Sequence, residues 1–220
     1  MKRFAVIVFP GSNCDHDAYH VINSMENTSV DFIWHKENSL NDYDVIIVPG
    51  GFSYGDYLRA GAIARFSPIM KAVIEESKKG KQVIGICNGF QILIECGLLP
   101  GALITNKNIK FLSKPVFLNV VNNKTSFTHL LNEGDIISMP IAHKQGNYIA
   151  NQNTVKELES NDQIAFKYHS NNPNGSLLDI AGIFNKEKNV LGMMPHPERA
   201  SDQKLGSNDG SQIFQSMLES

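Results

Sequence analysis

The stretch Gln82-Val83-Ile84-Gly85-Ile86-Cys87-Asn88-Gly89-Phe90-Gln91-Ile92-Leu93-Ile94-Glu95-Cys96 changes character at one point. Gln82 to Ile86 is a short, almost continuous apolar run, as expected of a strand buried on both faces. Phe90 to Cys96 reads as the helix that follows. Between them, Gly85-Ile86-Cys87-Asn88-Gly89 has the pattern Gly-x-Cys-x-Gly, the thiol version of the Gly-x-Ser-x-Gly nucleophile elbow. So sharp a turn presents its central side chain at the carboxyl edge of a sheet. Side chains two before and two after Cys87 would collide, which gives both glycines a steric reason. A sulfur at a helix N-terminus also meets the positive end of the helix dipole, where a thiolate is favoured. The plainer alternative is a buried cysteine between two glycines that serve helix–strand packing. The strand-then-helix setting favours the elbow.

Working toward the N-terminus, the same alternation recurs. Phe4 to Phe9, Val30 to Trp34 and Val45 to Val48 read as strands, the last ending in Pro49-Gly50-Gly51. Asp15 to Glu26 reads as a helix with Ser12 or Asn13 near its cap, and Leu58 to Lys79 as largely helical, interrupted or restarted at Pro68. Unbroken apolar strands separated by helices predict an α/β fold, with a parallel sheet covered on both faces. Toward the C-terminus the strand signals thicken: Val116 to Val121, Ile136 to Ile141 and Ile164 to Tyr168. Ile180 to Phe184 and Val190 to Met194 flank the polar turn Asn185 to Asn189 as a hairpin, and a helix spans Ser211 to Leu218. With no internal repeat or linker, residues 1–220 read as a single domain.

Composition narrows the function classes. A formal charge of −2 with no Lys/Arg cluster argues against a chain that grips nucleic acid. No apolar stretch approaches the ~20 residues needed to cross a bilayer, and the N-terminus lacks a signal-peptide cleavage site. The three cysteines (Cys14, Cys87, Cys96) are odd in number and widely spaced. Free thiols in a reducing compartment are therefore expected, and the chain reads as cytoplasmic.

A second motif, Met194-Pro195-His196-Pro197-Glu198, follows the hairpin. Each proline disfavours the helical region for the residue before it, so an extended segment is expected. Residues i and i+2 of such a segment share a side, which would pair His196 with Glu198 as a base and the acid that orients it. The alternative is a rigid surface turn bearing a polar pair. An attack by sulfur on an amide needs backbone N–H groups aimed at the developing oxyanion. Asn88, next to the nucleophile, and Gly51, in the turn after Val45 to Val48, are the candidates. Gln91 lies one helical turn beyond Cys87 and can reach a substrate or cap the helix surface.

Together, Gly85-Ile86-Cys87-Asn88-Gly89-Phe90-Gln91 and Pro195-His196-Pro197-Glu198 resemble the class I (triad) glutamine amidotransferases. Phe9 to Asp15, Pro49 to Ala62, Asn172-Pro173-Asn174-Gly175-Ser176 and Gly192 to Ala200 narrow the resemblance to the small glutaminase subunits of phosphoribosylformylglycinamidine synthases. The resemblance covers nearly the whole chain. It implies a flavodoxin-like, mostly parallel sheet flanked by helices, with the late hairpin carrying the His-x-Glu pair. It also implies glutamine as substrate, with ammonia passed to a larger synthetase subunit that uses ATP and Mg, and a small assembly subunit in the same complex. This chain itself needs no cofactor or metal on that reading. The family pattern places the nucleophile at Cys87, base and acid at His196 and Glu198, an oxyanion amide at Gly51, and glutamine contacts at Gln91, Phe52, His143 and Gly146. After Ile141-Ala142-His143 the family reads Gly-Glu-Gly, whereas this chain reads Lys144-Gln145-Gly146.

Other residues suggest less. Cys14, His16 and His20 fall close together, and the two histidines are spaced i and i+4, but no further ligand pair accompanies them. Cys96 reads as a small buried hydrophobe. The competing functions are a stand-alone cysteine hydrolase, such as a γ-glutamyl hydrolase, and a regulatory subunit that has lost catalysis. Intact Cys87, His196 and Glu198 argue against the second.

Overall fold

A computed structural model describes all of residues 1–220. The early apolar runs form β1 (Lys2–Val8), β2 (Thr28–Trp34), β3 (Val45–Val48) and β4 (Gln82–Ile86), all parallel. Every residue of β3 is buried, which explains an apolar run without alternation. The later strands are β5 (Ala102–Ile104), β6 (Leu112–Val120), β7 (Ile136–His143), β8 (Asn147–Ile149), β9 (Ile164–Tyr168), β10 (Ile180–Phe184) and β11 (Val190–Met193). Nine of the eleven make one sheet in the order β2-β1-β3-β4-β11-β10-β9-β6-β7, while β5 and β8 pair separately. The β10–β11 hairpin is antiparallel, and it turns β11 parallel to β4, with Gly192 beside Gly85. The segments that follow β4 and β11 therefore emerge at the same sheet edge.

Five helices accompany the sheet: α1 (Asp15–Asn23), α2 (Pro68–Lys78), α3 (Asn88–Glu95), α4 (Gln152–Ser160) and α5 (Ser211–Glu219). The helix expected from Leu58 begins instead at Pro68. Tyr54, Gly55, Asp56, Leu58 and Gly61 all have positive φ, between 53° and 78°, which no right-handed helix accommodates. Proline at the first helical position needs no N–H partner, so α2 starts there without loss. α1 stops at Asn23, and its cap position is Cys14 rather than Ser12 or Asn13. The Ser12 hydroxyl instead accepts from Phe9 N–H at 3.2 Å, closing the turn after β1. The sequence reading omitted α4. It buries only Leu158, and its start is fixed by Asn151, whose side chain accepts from Thr154 N–H. No helix is long and apolar enough to cross a membrane.

The order β2-β1-β3 reverses direction between β1 and β3, the point where open α/β sheets hold ligands. The loops after these two strands meet there. Ser12 bridges Gly51, Phe52 N–H donates to Gly11 O, and Tyr54 N–H donates to Pro10 O.

Candidate active site

Cys87 sits directly between β4 and α3 with φ 49° and ψ −103°, a strained conformation for a residue with a side chain. Its flanking glycines have the expected steric cause. A Cβ on Gly85 would lie 2.8 Å from the backbone of Gly89, and a Cβ on Gly89 would overlap the carbonyl of Val48 in β3. The thiol is buried and donates to the carbonyl of Ala142 in β7 at 3.5 Å. β7 also receives the base segment, through His196 N–H to Pro140 O at 2.9 Å.

His196 Nδ1 and Glu198 Oε1 are 2.6 Å apart, and both side chains are almost wholly buried. The route to this pairing differs from the extended segment expected. His196 is extended, but Pro197–Arg199 forms a 3₁₀ turn, so the carboxylate folds back onto the ring. Proline at the first position of that turn, its φ already fixed, favours this shape. Burial works against a charged imidazole here. The nearby Glu198 carboxylate and Cys87 sulfur outweigh it, and the pKa of His196 stands well above the usual value. Nε2 has no partner within the chain.

Cys14 joins the base from the other side, a placement that sequence reasoning missed. Its sulfur and the side chains of His196 and Glu198 bring potential ligand atoms within 4.8 Å of one another. A cation would have to displace the 2.6 Å hydrogen bond and sit beside Arg199, whose Nη2 is 3.2 Å from the Cys14 sulfur. The space is already filled by a proton and a positive charge. His16 does not converge on Cys14; it faces outward and pairs with Asp15. Burial, opposed by interactions with His196 and Arg199, pushes the Cys14 thiol pKa up.

Gly51 has φ 131°, and a Cβ there would strike Asn13 N at 2.7 Å. No hydrogen bond within the chain engages the N–H of Gly51 or of Asn88. The side chain of Asn88 is fully engaged. Its oxygen accepts from Ser53 N–H at 3.0 Å, and its nitrogen donates to Gln91 Oε1 at 2.8 Å and to Asp56 at 3.3 Å. Gln91 in turn donates to Gln145 O at 2.6 Å, so within the chain it bridges the elbow helix to the Lys144–Gly146 loop. The Gln145 side chain reaches back to Ala60 N–H at 3.3 Å. Phe52 is half-exposed, its ring 6.4 Å from that of Phe111.

His143 and Gly146 are buried against each other; a Cβ on Gly146 would overlap the His143 ring. Asn106 fixes both. Its nitrogen donates to Lys110 O and His143 O, so its oxygen must accept, from Gly146 N–H at 3.0 Å and His143 Nδ1 at 3.1 Å. His143 therefore carries its proton on Nδ1, and its Nε2 lone pair is buried without a partner. Burial, with the neighbouring His196, lowers its pKa to about 4, so the ring is neutral at physiological pH. No local pattern in the sequence marks Asn106 for this task.

A strained thiol at a sheet's carboxyl edge, with an acid-bound imidazole, is on this fold the arrangement of the triad class of glutamine amidotransferases. The family model for the CobB/CobQ-like glutamine amidotransferase domain matches residues 1–216. The chain belongs to that family. The structure of PurLQS from Thermotoga maritima is 44% identical, with a TM-score of 0.91, over 99% of this chain and 98% of that one. A glutamine amidotransferase from the same organism shares the fold at 17% identity, with a TM-score of 0.63, over 99% of this chain and 96% of that one.

Proposed function

We propose that the chain is the glutaminase subunit of a phosphoribosylformylglycinamidine synthase, supplying ammonia to a larger ATP-dependent subunit in purine biosynthesis. The observation that carries this reading is the full-length likeness, at 44% identity, to the PurLQS structure. Cys87 attacks the side-chain amide carbon of glutamine, and its proton passes to Nε2 of His196. Glu198 holds one proton on Nδ1 and stabilises the charged ring, so Nε2 takes and keeps the thiol proton. The N–H groups of Gly51 and Asn88 receive the oxyanion. His196 then gives its proton to the departing nitrogen, releasing ammonia and leaving a thioester. Water, deprotonated by the same ring, opens the thioester to glutamate. His143, with a fixed lone pair, accepts an N–H of the substrate, and Phe52 and Gly146 wall the pocket. ATP and Mg belong to the large subunit. A small assembly subunit completes the complex, and its setting is the cytoplasm.

The test is glutamine turnover by the chain mixed with the large and small subunits, formylglycinamide ribonucleotide and ATP. Glutamine-dependent amidine formation is expected, and Cys87→Ser should abolish it while leaving synthesis from added ammonium intact. Hydrolysis of a γ-glutamyl substrate by the isolated chain at full rate, with no response to the partner, would replace this reading with that of a stand-alone hydrolase.

A further inference from the structure

The turn Asn172-Pro173-Asn174-Gly175-Ser176 takes no part in the steps above, yet Asn174 is wholly buried. Its oxygen accepts from Ser176 N–H at 3.0 Å, so its nitrogen is the donor end. That nitrogen donates to the Gly146 carbonyl at 2.8 Å and to the phenolic oxygen of Tyr168 at 3.1 Å. The Ser176 hydroxyl lies 3.2 Å from the same carbonyl and closer, at 2.8 Å, to the Asn174 oxygen, which it helps to hold. On the other side of Gly146, Asn106 accepts its N–H. Two buried asparagines thus grip one glycine by both backbone groups. The preceding carbonyls are held as well, Lys144 O by Asn106 N–H and Gln145 O by Gln91.

This grip borders the nucleophile. Ala142, whose carbonyl accepts from Cys87, is four residues before Gly146, and the His143 ring rests on Gly146 itself. Tyr168, whose phenolic oxygen accepts from Asn174 at 3.1 Å, is itself buried. Losing such a contact leaves a buried carbonyl unpaired and lets the loop shift.

We propose that Asn174 is a positioning residue for the glutamine pocket, setting the Gly146 carbonyl so that the His143 lone pair meets the substrate in register with Cys87. The proposal rests on the amidotransferase reading above. Asn174→Asp keeps the shape and puts an oxygen where the donor was, against the Gly146 carbonyl. In the complete complex its KM for glutamine should rise about tenfold, with kcat within about twofold of wild type. Ser176→Ala, a gentler change, should move KM in the same direction by about threefold. Labelling of Cys87 by a glutamine-like chloroketone should slow in step with KM, while labelling by iodoacetamide, which needs no pocket, should hold its rate. A wild-type KM in both variants overturns the proposal, as does an equal slowing of both labels, which would mean a general collapse of the site. Should Asn174→Asp fail to fold, Ser176→Ala decides alone. If the wild-type chain neither turns over glutamine nor takes the chloroketone, the amidotransferase reading itself has failed. If it does both and KM stays flat, only the role of Asn174 has.

Discussion

Glu198 does two things for His196: it fixes which nitrogen bears the proton, and it stabilises the charged ring against the cost of burial. Neither task requires the acid to exchange a proton. His196→Ala should therefore lower kcat for glutamine hydrolysis at least as far as any change at Glu198, and Glu198→Gln should retain measurable turnover. Without the carboxylate the ring holds its proton less tightly, so its titration should move to lower pH, as followed by the pH dependence of Cys87 alkylation. Equal inactivity of the two variants would assign Glu198 a part in the proton transfer itself. The pairing of His196 with Glu198 was legible in Pro-His-Pro-Glu, but its route was not: the second proline starts a 3₁₀ turn instead of continuing an extended segment. Cys14 was not legible as a neighbour of the base. Its approach depends on the loop after β1 meeting the 3₁₀ turn at Pro197, a contact spanning most of the chain.

At the scale of elements, the elbow rests on how closely α3 passes β3. Gly89→Ala would drive a methyl group into the Val48 carbonyl and force helix and strand apart. A loss of about 3 kcal/mol in denaturant unfolding is expected, the upper end for overpacking, with loss of glutaminase activity. A second expectation concerns Asp56 in the loop beside the elbow. Burial, only partly offset by the hydrogen bond from Asn88, raises its pKa from 3.8 to about 6. The stability this raised pKa contributes is complete below the unfolded value and is lost as pH rises through about 6. Asp56→Asn should remove that loss. Its Tm, followed by circular dichroism from about pH 4 to about pH 7, should fall less than that of the wild type. The elbow was readable because its glycines answer a local collision. The start at Leu58 was misread as helix because the apolar and alanine content of residues 58–66 resembles one, whereas Leu58 and Gly61 take left-handed backbone and Gly61 lies against α3. The polar helix α4 carried too little apolar pattern to announce itself.

For the whole molecule, the loop that follows Gly51, whose amide would hold the oxyanion, leaves Tyr57 and Leu58 strongly exposed. On the proposed function, docking of the large subunit on this loop would set that amide, whose peptide is held at its carbonyl end by a 3.4 Å bond from Cys14 N–H. The isolated chain should turn over glutamine about 10²–10³ times more slowly than the complete complex with acceptor and ATP, the usual effect of one missing oxyanion donor. Equal steady-state rates would remove the switch. The parallel half of the sheet could be read from its apolar runs. The placement of β7 beside the elbow could not, since pairing between distant strands has no local signature.

That placement governs when the enzyme becomes dangerous to its own cell. The carbonyl that meets the Cys87 thiol comes from β7, and the base arrives only after β11. A ribosome releases the elbow long before either, and non-local strand pairing is the slow part of folding. The growing chain therefore carries an unarmed cysteine through synthesis, and the power to break glutamine appears only when the last strands close.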